Sequence, residues 1–373
     1  MLADFLLSNE TPIFIGGYNT YYKPDSFCEG LRTQSVKGLL RYWLRCYLAG
    51  AGINVSGINN KTCELLGGKI GETFFASKIQ IKSYLINDKP YVFYERNIPR
   101  INLLLLRRRQ KLDCAQFLKV RLSLNERKGV ILNENDKGLI VGTLLTSLLL
   151  SGLGKMARRG FGTFRVDVRE DGTKLFYDDI TNIFSADSID EDRKKSIIRI
   201  IEKTKMNIIE EKPFSDIPPI HAIHKKYFKL IYISMRKKPT HVINDLQNFT
   251  LRPKRAKVLF GDFKKDDEIT KKHLAWFLGL PRSPRETGYI IKDDDVQRRP
   301  SPLFFSVHRN FALVSLFLSK DWPRNLTWKG AKKEEPLNIT VNEIQKAYDI
   351  TFNLLIQYLD KLNYEWTVIY GES

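Results

Sequence analysis

Residues 152–162 read Gly152-Leu-Gly154-Lys155-Met-Ala-Arg158-Arg159-Gly160-Phe161-Gly162, and what flanks them decides the fold. Upstream lies an apolar, helix-like run that ends near Leu150; downstream, Thr163 to Val168 reads as a strand. Glycines permit positive φ and close backbone approach, and Lys155, Arg158 and Arg159 suit a polyanion, so the loop is expected to hold phosphates. Two familiar phosphate loops are excluded. Gly152-Leu-Gly154-Lys-Met-Ala157 fits the dinucleotide spacing G-x-G-x-x-G/A, but that loop follows a strand and opens a helix, the reverse of the order here. A Walker A loop fails as well, because Met156 follows Lys155 and Leu149 stands where its first glycine belongs.

Working outward, residues 2–15 form a first strand, interrupted at Thr11-Pro12. Residues 32–49 then place Val36, Leu40, Trp43 and Tyr47 on one face of a helix, with Lys37, Arg41 and Arg45 as a second stripe at i, i+4, i+8. After a glycine-rich interval come strand candidates at 79–86, 91–94 and 119–125, a helix at 137–150 and the strand at 163–168. With the extra ribbon set aside the order is β-α-β-β-α-β, the ferredoxin-like or RRM-like unit. In that unit a Gly/Arg loop between the second helix and the last strand is a natural RNA contact. A charged helical stretch at 188–211, followed by Pro213, Pro218 and Pro219, reads as a connector. The second half repeats the order: strand 227–235, helix 268–278, strands 303–307 and 311–318, helix 341–362, strand 366–370. The expected architecture is α+β, with tandem ferredoxin-like domains at 1–187 and 220–373 joined by a connector at 188–219. No sequence repeat links the halves; element order alone carries the duplication.

Composition points to a nucleic-acid partner. The chain of 373 residues has 61 Lys+Arg against 42 Asp+Glu, a formal charge of +19, and 12% aromatic residues, a balance that attracts polyanions without separating RNA from DNA. Cys28, Cys46, Cys63 and Cys114 form no C-x-x-C motif, which argues against a zinc ribbon or a secreted disulfide scaffold and fits a reducing cytoplasm. No signal peptide is evident, since Asp4 interrupts the first apolar run. The uncharged stretch 138–154 is at the lower limit for a bilayer crossing, and Thr143, Ser147 and Ser151 would line one face with polar atoms, so a buried helix is the better reading.

Three stretches together resemble one family. They are Ile15-Gly16-Gly17 leading into Leu31-Arg-Thr-Gln-Ser35-Val-Lys37-Gly-Leu-Leu-Arg41-Tyr-Trp-Leu-Arg45; the loop 152–162; and Phe277-Leu-Gly-Leu-Pro-Arg282 followed by Arg298-Arg299-Pro-Ser-Pro-Leu303. The chain resembles the RAMP superfamily, and within it the first Cmr subunit of type III-B CRISPR effector complexes. The S-x-K-G-x-x-R element and the glycine-rich loop are shared across RAMP proteins; the N-terminal Gly-Gly and the later G-L-P with S-P-L are narrower. The resemblance spans most of the chain. It implies a tandem ferredoxin-like, antiviral-defence protein at the head of a multi-subunit complex. Its partners would be the 3′ part of the guide RNA, the target RNA paired to it and neighbouring Cmr subunits, with RNA cutting left to another subunit. The shared motifs map onto Ser35, Lys37, Arg41 and the loop 152–162.

The candidate RNA-binding residues are therefore Lys37, Arg41 and Arg45, the loop residues Gly152, Gly154, Lys155, Arg158, Arg159, Gly160, Phe161 and Gly162, and the arginines Arg282, Arg285, Arg298 and Arg299 of a Pro- and Gly-rich segment. A stripe such as Lys37/Arg41/Arg45 is by itself readable as an ordinary solvated helix face; beside the glycine loop it reads as one wall of a groove whose phosphate contacts fix register without reading sequence. Arg107-Arg108-Arg109 is readable either as a nucleic-acid patch or as a strand end in solvent. Tyr21, Tyr22 and Phe161 are candidates to stack on bases, Phe161 foremost.

Catalytic signals are weak. His221 and His224 are spaced H-x-x-H without a convincing third ligand, consecutive Asp293-Asp294-Asp295 read as a solvated loop, and His308 reads as a strand histidine satisfied locally. No metal or cofactor is expected. The competing class is a RAMP-type endoribonuclease that processes guide precursors with a histidine base. No histidine precedes His221, so the first domain and its loop lack one.

Overall fold

A computed structural model describes residues 1–14, 31–87, 91–92, 115–116, 118–168, 174–185, 187–209, 212, 214–250, 274–280, 288–292, 298–329 and 334–372. Its strands fall mainly into two four-stranded antiparallel sheets. In the first, β1 (Ala3–Asn9), β2 (Ile79–Leu85), β3 (Lys119–Glu126) and β4 (Phe164–Val168) lie in the order β2-β3-β1-β4, with Phe5 opposite both Leu122 and Val168. In the second, β5 (Phe228–Ser234), β6 (Leu303–Val307), β7 (Phe311–Phe317) and β8 (Glu365–Tyr370) lie in the order β6-β7-β5-β8. Counted within each half, the two orders are the same. A smaller three-stranded sheet joins Gly288–Ile291, Asn325–Lys329 and Glu334–Asn338.

Seven helices are described: α1 (Thr33–Gly50), α2 (Val55–Leu66), α3 (Glu134–Leu150), α4 (Tyr177–Phe184), α5 (Asp190–Lys205), α6 (Pro239–Thr250) and α7 (Val341–Lys361). The sequence fixes their ends by ordinary chemistry. The Asn133 side chain accepts from the Asp136 N–H at 2.7 Å, while Glu134 and Asp136 sit at the positive end of the α3 dipole. Pro239 opens α6, where a missing N–H costs nothing.

α3 is apolar all round because it lies between the sheets. It packs against β4 of the first sheet and against β6 and β7 of the second, and its flanks are taken by α1 and α5. Thr146 Oγ1 lies 2.6 Å from the Tyr47 hydroxyl, and Ser151 Oγ, just past the helix end, accepts from the Trp43 indole at 3.1 Å. Among the described residues no helix is long and apolar enough to cross a membrane. The far face of the second sheet is covered in turn, α6 packing on β6 and α7 on β8. This double covering explains why all seven residues of β7 are buried, whereas in the first sheet Phe5, Leu7, Val120 and Leu122 point inward and Lys119 and Arg121 outward. Each such buried Leu or Phe contributes about 1.5–3 kcal/mol.

The sequence reading is filled in or changed at three places. The helical stretch expected at 188–211 is α5, which buries Ile197, Ile200 and Ile201. The helix expected at 268–278 is, within the described residues, one 3₁₀ turn at Ala275–Leu278, and the helix after β5 is α6 instead. The glycine-rich interval after α1 contains α2 and the short hairpin Gly68–Ile70 with Thr73–Phe75.

Candidate nucleic-acid interface

The glycine-rich loop is sewn to both halves of the chain by its backbone. Lys155 N–H donates to the Phe14 carbonyl at 2.9 Å and Gly162 N–H to the Pro12 carbonyl at 3.0 Å. On the other side Phe305 N–H donates to the Arg158 carbonyl at 3.1 Å, and Gly160 N–H returns to the Phe305 carbonyl at 3.0 Å, so residues 158–160 extend the edge of β6 as a short parallel bridge. The loop closes on itself where Leu153 N–H meets the Gly162 carbonyl at 2.9 Å. A Cβ at Gly152 would stand 2.0 Å from the Phe161 carbonyl, which only glycine avoids. With its backbone thus committed, the loop leaves Gly154 and Lys155 exposed and Arg158 and Arg159 half-buried.

Arg158 rests on aromatic rings from both halves, with its guanidinium carbon 4.7 Å from the Tyr42 centroid and 4.5 Å from that of Phe304. Beneath it lies a buried polar chain. Tyr42 hydrogen-bonds through its hydroxyl to Nδ1 of His221, whose ring is stacked on Phe317 at 4.6 Å. Nε2 of His221 accepts from Arg299 at 2.9 Å, and the same arginine donates to Asp321 at 2.8 Å and to Ser319 Oγ at 3.1 Å. Burial, reinforced by the charges of Arg299 and Arg158, pushes His221 well below the usual histidine range, so it is a neutral acceptor for Arg299. Burial likewise pushes the Tyr42 phenol well up and the Cys46 thiol up to about 12.

The stripe on α1 is turned toward α2. Arg41 donates to the Gly67 and Leu66 carbonyls at 2.6 and 3.2 Å, satisfying the open C-terminal end of α2. Arg45 donates to Asn59 at 3.1 Å. Lys37 makes no hydrogen bond or ion pair among the described residues, and burial, with the charge of Arg41 beside it, lowers its pKa. One turn before Tyr42, Gly38 is exposed with nothing within 4 Å of where a Cβ would stand.

Two site expectations are corrected. Phe161 is wholly enclosed, its ring edge-on to Phe14 at 5.1 Å, and a ring with no exposed face cannot stack on a base. Arg299 is 4% exposed and fully engaged with His221, Ser319 and Asp321 over the Trp322 ring, so it is part of the scaffold rather than a phosphate ligand. Arg298 beside it is exposed. Arg159 turns toward the Leu278 and Leu303 carbonyls, at 3.4 Å each. Arg282, Arg285, Tyr21, Tyr22, Gly16, Gly17, Arg107 to Arg109 and Asp293 to Asp295 lie outside the described residues. His308 is fully buried and bonded to Glu10, Ser306 and the Leu149 carbonyl. Sequence reading passed over Tyr42 and Phe304, although Tyr42 stands inside the Ser35-to-Arg45 motif; nothing in the sequence pairs it with a residue so far along the chain.

Residues 7–165 match the RAMP superfamily model. No curated protein sequence matches the chain. Among solved structures, the crystal structure of apo Cmr1 from Pyrococcus furiosus superimposes with a TM-score of 0.55 at 15% identity, covering 100% of this chain and 99% of that one. A chain of the type III-B Cmr-beta complex bound to cognate target RNA and AMPPnP in the presence of ssDNA gives 0.56 at 14% identity, over 95% of this chain and 99% of the other. The same complex bound to cognate target RNA gives 0.55 at 14%. Residues 7–165 are thus similar to the RAMP superfamily, and the chain along its length has a fold like that of Cmr1.

Proposed function

We propose that this protein is a non-catalytic RNA-binding subunit of a type III-B CRISPR ribonucleoprotein effector, a cytoplasmic assembly in which it meets the 3′ part of the guide RNA, the target RNA, or both, beside other Cmr subunits. The observation that carries this reading is the loop 152–162. It lies across the seam between the two sheets, with Lys155 exposed and the guanidinium of Arg158 set on two rings without an acidic partner among the described residues. Backbone bonds on both sides hold it rigidly, and rigid cations at a seam suit a phosphodiester chain that must be gripped in one register whatever its sequence.

The reading of the two halves as tandem ferredoxin-like domains, at 1–187 and 220–373 around a connector at 188–219, rests on their common strand order, second-third-first-fourth. The non-catalytic reading draws on the histidines. Of the described histidines, His221 is buried and held neutral beneath Tyr42 and His308 is fully buried, so neither is presented to a ribose hydroxyl. His224 and His241 reach the surface and are not among the loop's backbone partners Pro12, Phe14 and Phe305. Likeness to solved Cmr chains, including those in target-RNA complexes, supports the choice of assembly.

The test is electrophoretic binding of end-labelled single-stranded RNA to the purified chain, with the RNA recovered from the same tube and sized. Binding with intact RNA, with or without magnesium, is expected. Cleavage abolished by His221→Ala or His308→Ala would install the guide-processing nuclease instead, and absence of binding would overturn the RNA-binding reading.

A further inference from the structure

A half-buried arginine normally finds carbonyl or carboxylate acceptors for its N–H groups. Arg158 has none among the described residues; what it touches is two rings, 4.7 and 4.5 Å from its guanidinium carbon. The centroids of those rings are only 5.9 Å apart and the rings are inclined by 30°. Two rings on opposite faces of a planar cation would be separated by nearly the sum of their distances to it. Tyr42 and Phe304 therefore flank one side of Arg158 as a cradle, and neither covers the other side. A cation held against aromatic rings is attracted by them without using up its N–H donors, which stay available for a phosphate.

The cradle is itself held. Tyr42 is fixed by its hydroxyl to His221, and His221 by Arg299, which is neutralised by Asp321. Phe304 comes from β6, the strand that Arg158 extends through its own carbonyl. Buried Arg299 thus has its own counter-ion in Asp321, while Arg158 has none among the described residues, and the local field favours an incoming anion.

Resting on the RNA-binding reading above, we infer that Tyr42 and Phe304 are positioning residues that hold the Arg158 guanidinium as a phosphodiester fork, so that one RNA-binding element is assembled from both halves of the chain.

The experiment uses the full chain and a fluorescein-labelled twelve-nucleotide oligouridylate, with affinity measured by anisotropy across a salt series. Tyr42→Leu, Phe304→Leu and Arg158→Ala are each expected to weaken binding by about five- to thirtyfold, the range between an exposed and a desolvated cation on a ring. Each should flatten the slope of log affinity against log salt by about 0.7, one single-strand phosphate contact. Tyr42→Phe, which keeps the ring, should keep the slope, and Tyr42→Leu combined with Arg158→Ala should bind no worse than Arg158→Ala alone. A wild-type slope in folded Tyr42→Leu and Phe304→Leu, or strict additivity with Arg158→Ala, overturns the cradle. Should Tyr42→Leu fail to fold, Phe304→Leu and Tyr42→Phe decide the matter. Wild-type protein that does not bind the oligouridylate overturns the RNA reading itself, a different result from binding that is indifferent to the rings.

Discussion

Oε2 of Glu10 lies 2.8 Å from Nδ1 of His308, a contact between residues 298 positions apart in the chain. On the opposite edge of the same ring, Nε2 lies 3.0 Å from the Leu149 carbonyl at the end of α3. One imidazole thus ties the end of the first strand, the helix between the sheets and the turn after β6, just where the loop 152–162 crosses. His308→Ala should cost about 3 kcal/mol, because it opens a cavity and leaves a mostly buried carboxylate without its partner. Urea unfolding of the full chain measures it; a loss under about 0.5 kcal/mol would show that the ring carries no structural weight.

His221 gives stability a pH dependence of definite sign. Its folded pKa is pushed well below the unfolded value, so below about pH 6.5 the unfolded chain binds a proton that the folded chain refuses. The contribution is complete above that pH and is lost as pH falls, with a slope of at most about 1.4 kcal/mol per pH unit. Comparing unfolding free energies at pH 7 and pH 5.5 in wild type and His221→Gln tests this. The two proteins should diverge less at the lower pH, and an unchanged difference would mean that His221 titrates alike in both states.

Adjacent arginines should behave oppositely. Arg299→Ala removes a buried cation from His221, Ser319 and Asp321 and should cost about 3 kcal/mol or more. Arg298→Ala, at an exposed site, should stay within about 0.5 kcal/mol. Thermal melts of the two variants decide it, and equal melting temperatures would return Arg299 to the list of RNA ligands.

Gly38 separates stability from binding. It lies inside α1 with empty space beside it among the described residues, so Gly38→Ala should stabilise the helix by up to about 1 kcal/mol. If an RNA strand runs past that bare turn toward Arg158, Gly38→Leu should remain folded yet bind the oligouridylate more weakly. Wild-type affinity in Gly38→Leu would move the strand's path off this face.

Lys155 and the α1 stripe should differ in kind. Lys155→Ala, at an exposed position, should reduce RNA affinity and flatten the salt slope by about 0.7 with no change in melting. Arg41→Ala removes the donor that closes the end of α2 and should cost about 1–3 kcal/mol of stability. Full stability in Arg41→Ala would restore that arginine as a free phosphate ligand.

The sequence by itself determined what depends on neighbours in the chain. The two sheets' eight strands, α1, α3 and α7 are legible from period and punctuation, and the helix, glycine loop, strand order around 152–162 by itself rules out a nucleotide-binding loop. α6 was also within reach: Pro239 followed by Val242, Ile243, Leu246 and Phe249 is a helix start with an apolar face. Only the tertiary structure decided which side chains of the candidate site face outward. Arg298 and Arg299 are the same residue type side by side, and one is exposed while the other is buried because His221 and Asp321 arrive from distant segments to satisfy it. Phe161 looked like a stacking ring until Phe14 covered it. α3 had the composition of a membrane span because a second sheet, more than 150 residues further on, closes over the face that water would otherwise reach. A residue's type sets what it needs, such as a counter-charge, a hydrogen-bond acceptor or an apolar cover. Long-range packing alone sets whether the protein supplies that need, as it does at Arg299.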